Sequence, residues 1–284
     1  MAIMIRHLNK NKLYVFKNTM NDCNTGLHLF YCRNVVGRAW SNTVVSSSTF
    51  LRYGFRLQNV QYSPLDNAPF KLDHNVVKVR GDGFWLRNSD HVNVEQNTVQ
   101  MIALASAPGS GIGSNAIRLE HTEHCKVYDN DLTSDFGNLA ANRTWMRGIW
   151  VETGPTTDVS CNRLTNFGWG IAFRSVCLGV SVRYNDIYNG VDGMLLVASG
   201  EIGNQGAIGN PMGNRWFGSF THGQTHSILS KAQFHSYIVS PNTATTTYWP
   251  SVNMLTGGLP YTNFLFCHPG KTASAATTAQ HHHA

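Results

Sequence analysis

VSVRYNDIYNGVDGMLLV, residues 180–197, decides the fold once it is set beside VNVEQNTV (92–99), CKVYDNDL (125–132) and VSCNRLTNFGWGIAF (159–173). These stretches share one pattern. Two apolar or small residues stand two apart, an asparagine follows three residues after the second, and an apolar residue comes two beyond it. Aligned on that asparagine, the motif recurs at Asn18, Asn42, Asn75, Asn97, Asn130, Asn162 and Asn185, with gaps of 24, 33, 22, 33, 32 and 23 residues. Three gaps cluster at the low end and the others are longer, which is a repeat carrying insertions.

The flanking columns agree. Three residues before the anchor stand Val15, Ala39, Leu72, Val94, Val127, Val159 and Val182; two after it stand Met20, Val44, Val77, Val99, Leu132, Leu164 and Ile187. Five before it, all but Gly37 and Thr157 are apolar. A further strand follows each anchor (GLHLF, GFRLQ, GFWLR, AIRLE, GIWVE, GIAFR, GMLLV), with alternate residues such as Phe84 and Leu86 turned inward. Short alternating strands separated by turns, with no helical period, make each repeat one β coil. Stacked coils bury what a single coil cannot. The asparagine marks a turn; its amide is expected to hydrogen-bond the asparagine of the next coil, and its backbone to tolerate a left-handed bend.

Composition points the same way. Charged residues are 13% of the 284, with 26 glycines, which favours a turn-rich β protein over a helical one. No apolar run is long enough for a membrane span. The net charge of +6 is modest and scattered, so no nucleic-acid partner is expected. Six cysteines without C-x-x-C spacing exclude zinc ribbons and thioredoxin-type sites. HGQTH (222–226) lacks the glutamate of H-E-x-x-H, and GSGIG is not a dinucleotide fingerprint. No cofactor and no metal is assigned. The start, MAIMIRHLNKNK, has no h-region. The expected location is extracellular or at the cell surface, for a chain lacking its leader, with the cytoplasm as the alternative.

The repeat resembles that of right-handed parallel β-helix proteins of the pectin-lyase-like superfamily, over about residues 13–200. The resemblance implies an all-β single-stranded solenoid of about seven coils over 1–200. An irregular C-terminal cap would follow over 201–270 and a disordered tail over 271–284. GNQG and GNRW, within 203–216, resemble the region after the β-helix in secreted Bacteroidetes proteins. Many relatives cut or bind acidic polysaccharides. The paired aspartates and the G-H-G and R-I-K strings of polygalacturonases are missing here, as is a pectate-lyase calcium cluster.

The insertions place the candidate site. The stretch from anchor to second strand is longest in the fourth and fifth coils, which adds residues 101–114 and 133–146 at the same corner. Paired loops at one corner can wall a groove. A third extension, 58–70, leaves a different corner. The outward residues beside the loops are Trp85, Arg87, Arg118, Glu120, Trp150, Glu152 and Arg174. Trp85 and Trp150 are expected as open faces for sugar rings, and Arg87 and Arg174 as carboxylate binders. Glu120 and Glu152, with Arg118, are the catalytic candidates, because two carboxylates one strand spacing apart fit glycoside hydrolysis. Three readings stay open: cleavage of an acidic polysaccharide by a lyase or hydrolase, glycan binding without turnover, and a passive salt-bridged scaffold.

Overall fold

The computed structural model describes residues 2–9, 12–45, 53–61, 68–102, 114–135, 145–203, 205 and 214–228. Most of these residues are β-strand with almost no helix, and the strands pair in parallel in curled sheets. They fall into three rows. The first holds Lys12–Phe16, Val36–Trp40, Phe70–Asp73, Val92–Glu95, Lys126–Tyr128, Asp158–Ser160 and Ser181–Arg183, paired in that order as a 7-stranded sheet. The second follows the asparagines: Thr19–Asn21, Thr43–Val45, Val76–Val79, Thr98–Met101 and Asp131–Ser134. The third holds Ile3–Arg6, Thr25–Phe30, Tyr53–Gln58, Asp82–Arg87, Ser114–Glu120 and Met146–Glu152. The second and third rows fuse through the long strand Arg163–Cys177, so the larger sheet folds back on itself.

Register follows the sequence alignment residue for residue. Val94 pairs with Leu72 and Val127, Val99 with Val77 and Leu132, and Phe84 with Phe55 and Ile117. The inward columns are buried throughout the interior of the stack, and like sits on like: the Phe55 and Phe84 rings stack at 4.9 Å. Fully burying a Val, Leu or Phe side chain stabilises by roughly 1.5–3 kcal/mol. The core therefore grows with every coil added.

The asparagine ladder is continuous. The Nδ2 group of each anchor donates to Oδ1 of the next, from Asn18 through Asn42, Asn75, Asn97, Asn130 and Asn162 to Asn185. The backbone N–H of each anchor donates to the same oxygen. From Asn42 onward, each Nδ2 also donates back to the carbonyl three residues before the preceding anchor, as Asn97 does to Leu72 at 2.9 Å. Left-handed backbone lies one residue earlier than the sequence reading expects. Lys17, Ser41, His74, Gln96, Asp129, Cys161 and Tyr184 carry φ between 52 and 58°. The asparagine must aim its N–H and its amide along the stack at one oxygen, so the corner is taken before it. A left-handed residue costs roughly 1–2 kcal/mol. Several net bonds of about 1 kcal/mol each around every amide offset that cost.

The stack runs further than the repeat read from sequence. Asn185 donates to Asn214 at 2.9 Å, and Arg215–Ile228 pairs in parallel with Asp186–Ile202. In the first row a side chain stands where the next strand would be. The Gln205 amide accepts from the Val182 N–H at 2.9 Å and donates to the Val180 carbonyl at 2.8 Å. Most of 201–270 and all of 271–284 lie outside the described residues. No helix among the described residues is long and apolar enough to cross a membrane.

The ladder makes a sharp prediction. Asn97→Ala strips the acceptor from the Asn75 N–H and Nδ2, both buried, and should lower unfolding free energy by about 3 kcal/mol in chemical denaturation. Asn97→Asp should be at least as harmful, since a carboxylate cannot donate to the Leu72 carbonyl. Asn18→Ala, at the half-buried end of the ladder, should cost under about 1 kcal/mol.

Candidate functional site

The outward face of the third row is built by a glycine column. Gly26, Gly54, Gly83, Gly148, Gly170 and Gly193 occupy one position, broken only by Ala116. At Gly148 an added Cβ would meet Leu164 Cδ2 at 2.4 Å and the Gly170 carbonyl at 2.5 Å, so the bare side of the glycine faces the core. Two consecutive residues therefore point inward, and the residue before the glycine turns out. This creates an outward column that strict alternation does not disclose: Tyr53, Asp82, Asn115, Arg147, Trp169. Beside it run the two columns read from sequence, Arg56, Trp85, Arg118, Trp150 and then Gln58, Arg87, Glu120, Glu152, Arg174, in the expected register. Arg118 pairs with Trp85 and Trp150, and Glu120 with Glu152.

The expected tryptophan faces are not open. Trp85 is 6% exposed and Trp150 4%. The reason is the strand spacing. Arg56 and Arg118 stand one coil either side of Trp85, and their guanidinium carbons lie 4.4 and 5.5 Å from its ring centroid, while Tyr53 stacks on it at 5.1 Å. Arg147 lies 4.1 Å from the Trp150 ring and 4.4 Å from that of Trp169. Guanidinium groups thus occupy the positions where sugar rings would stack; such contacts contribute about 0.5–2 kcal/mol each.

The carboxylates are held in place. Arg118 bridges Asp82, at 3.5 Å, and Glu120. Glu120 also accepts from Trp85 Nε1 at 3.1 Å and lies 3.8 Å from Arg87. Glu152 accepts from Trp150 Nε1 at 3.4 Å and faces Arg174 at 3.5 Å. Asp82 Oδ1 accepts from both the backbone N–H and Nδ2 of Asn115. Only Arg87 and Arg174 remain about half exposed, at 48% and 51% of their side chains.

Burial dominates the electrostatics. It raises the Asp82 carboxyl above its ordinary range, against the pull of Arg118 and the Asn115 bonds, with Glu120 adding to the rise. Burial pulls Arg147 down to about 10, assisted by Arg118, while Asp82 and Glu152 oppose the fall. Arg56 is lowered by burial and by Arg87. Over the second to sixth coils the three columns carry five arginines, namely Arg56, Arg87, Arg118, Arg147 and Arg174, against the carboxylates of Asp82, Glu120 and Glu152; Asp192 follows in the seventh. The Nε atoms of Arg56, Arg118 and Arg147 are buried without a hydrogen-bond partner among the described residues.

The structure thus brings all seven sequence-predicted residues onto one face, and adds Tyr53, Asp82, Arg147 and Trp169. The signal for the added residues was the glycine column itself. The expectation that 101–114 and 133–146 wall this face falls largely on residues outside those described, as do the side chains of HGQTH. A depression of about 540 Å³ lies on the first row. Lys71 pairs there with Glu95 at 2.7 Å and Arg183 with Asp158 at 3.0 Å, and Lys126 adds a third cation to its lining. The third-row patch carries its surplus as arginine. No family model matches the chain, and neither the curated proteins nor the solved structures return a match.

The raised Asp82 carboxyl fixes the sign of a pH effect. The folded protein holds this proton more tightly than the unfolded chain. The stabilisation is complete below the ordinary value of 3.8 and is lost as pH rises through the raised folded value. Asp82→Asn should remove that loss, so the stability difference between variant and parent should grow in the variant's favour from about pH 3 to 7. Denaturation midpoints across that range measure it.

Proposed function

We propose that this protein is a right-handed parallel β-helix of the pectin-lyase-like type that binds an acidic polysaccharide on the third-row face, outside the cell or at its surface. Handedness rests on the strong preference of parallel strands for right-handed crossovers. The observation that carries the functional reading is the surplus of arginine on a surface whose aromatic faces are already filled. A polymer of uronates supplies the carboxylates that this chain does not, and guanidinium groups take carboxylates in bidentate fashion. The tryptophans act as platforms for the arginines, not for sugar rings. Arg87 and Arg174 make the outer contacts and Arg147 the inner one.

Arg87 and Arg174 are the residues on which to test it. Their ion pairs, at 3.8 and 3.5 Å and half exposed, contribute little to stability. Arg87→Ala and Arg174→Ala should therefore fold as the parent does. Each should weaken binding of polygalacturonate about tenfold in calorimetry, equivalent to about 1.4 kcal/mol. A neutral glucan should bind neither parent nor variant. Parent-like affinity in the double variant would end the reading.

The engagement of both glutamates favours turnover by elimination over hydrolysis. On that route the neutral form of Arg147, which burial pulls down to about 10, takes the proton alpha to a uronate carboxylate, Arg118 stabilises the charge that results, and the C4–O bond breaks to leave the unsaturated sugar, the departing oxygen taking a proton from water. Glu120 and Glu152 have oxygens engaged by an arginine and a tryptophan N–H each, contacts a hydrolase would have to break. On this reading, unsaturated product from polygalacturonate, followed by its ultraviolet absorbance, should form faster as pH rises towards about 10. Binding without product at any pH leaves a receptor only.

A further inference from the structure

At the corner between the third and first rows, two adjacent coils repeat an acid–histidine pair: Asp90-His91 and Glu123-His124. The backbone there is tied down. Asp90 and Glu123 form a parallel bridge. The Asp90 N–H donates to the Val60 carbonyl at 2.9 Å, and the His91 N–H to the Glu123 carbonyl at 3.1 Å. The Glu123 N–H donates to the Ser89 carbonyl at 3.2 Å, and the His124 N–H to Thr156 Oγ1 at 3.0 Å. Both histidines are left-handed, with φ of 52 and 48°. Their side chains leave the corner together, and the rings stack at 4.6 Å. Nδ1 of His91 lies 2.7 Å from Asp90 Oδ1, and Nδ1 of His124 lies 3.1 Å from the same oxygen.

We propose that this corner is a site for a divalent transition-metal ion, held by Nδ1 of His91, Nδ1 of His124 and the Asp90 carboxylate. One ligand atom from each residue falls within 4.8 Å of the others. With bonds of about 2.0–2.1 Å, neighbouring ligands of a tetrahedral zinc stand about 3.3 Å apart. The two nitrogen–oxygen separations already present, 2.7 and 3.1 Å, need to open by about 0.6 and about 0.2 Å to reach that spacing. Two imidazoles and a carboxylate suit zinc, nickel or copper, whereas calcium and magnesium prefer oxygen alone. His124 is 51% exposed, which gives the ion its entry. Binding moves the Nδ1 proton of each neutral ring to Nε2, or releases it to solvent from a charged ring. A plain hydrogen-bonded triad, in which both rings donate to one oxygen, is the competing account and takes up no metal. The proposal is independent of the arginine patch.

The test uses the full chain with His281, His282 and His283 changed to alanine, since that triplet competes for metal. Cobalt(II) titration, read by visible absorption and calorimetry, should show one equivalent bound with a tetrahedral spectrum. His91→Ala and His124→Ala should each weaken uptake at least about tenfold. Zinc should raise the melting temperature of the parent but not of His124→Ala, which separates lost ligation from lost folding. No uptake by folded protein, or uptake unchanged in both variants, overturns the proposal.

Discussion

A buried amide side chain has to be bonded at both ends, and in this molecule only the neighbouring coils can supply the bonds. Each interior anchor asparagine donates to the coil after it and to the coil before it, and its oxygen takes two donors from the coil before. Removing one leaves several buried polar groups without partners, at about 1–3 kcal/mol each. Slipping one coil by a residue would do the same to two coils at once. The ladder therefore sets register as well as stability. The apolar columns alone would set it less sharply, because a slip of two residues still puts valine near valine.

Fixed register turns the outer surface into a grid in which a side chain's vertical neighbours are chosen by the repeat. Strands stacked about 4.8 Å apart place like charges in direct opposition unless the column alternates. The central column does alternate: Arg56, Trp85, Arg118, Trp150. Each indole separates guanidinium groups that would otherwise repel, and in doing so is covered by them. The next column alternates only at its ends, where Arg87 opposes Glu120 and Arg174 opposes Glu152; Glu120 and Glu152 pair directly, and each is held by the arginine beside it. Aromatic and carboxylate groups here make a stack of arginines tolerable.

The columns show what could be read in advance. Strand alternation gave the inward residues and two of the outward columns, because those depend only on chain period. The Tyr53–Asp82–Asn115–Arg147–Trp169 column escaped because the glycine beside it faces the core and breaks the alternation locally. Burial of Trp85 and Trp150 escaped for a different reason. It depends on which side chain lies one coil above and below, so it appears only when columns are read vertically as contacts. Asn214 escaped because its upstream columns hold Gly209 and Pro211 where other coils hold apolar residues, although Trp216 two beyond it is fully buried.

The same grid bears on what the face does. A scaffold selected for stability alone would match its charges, as Arg38–Asp73, Lys71–Glu95 and Arg183–Asp158 do within the first row. The third row keeps Arg147 between two indoles, where burial disfavours its charged form, and it keeps Asp82 buried where its ionised form is disfavoured. Replacing such groups with apolar residues of similar volume is often neutral or stabilising. Their presence on one face, next to half-exposed Arg87 and Arg174, is accounted for if an anion from outside completes the charge balance. A carboxylate polymer lying along the stack would meet these arginines at the strand repeat. Affinity would then come from many aligned contacts rather than from one enclosed cavity.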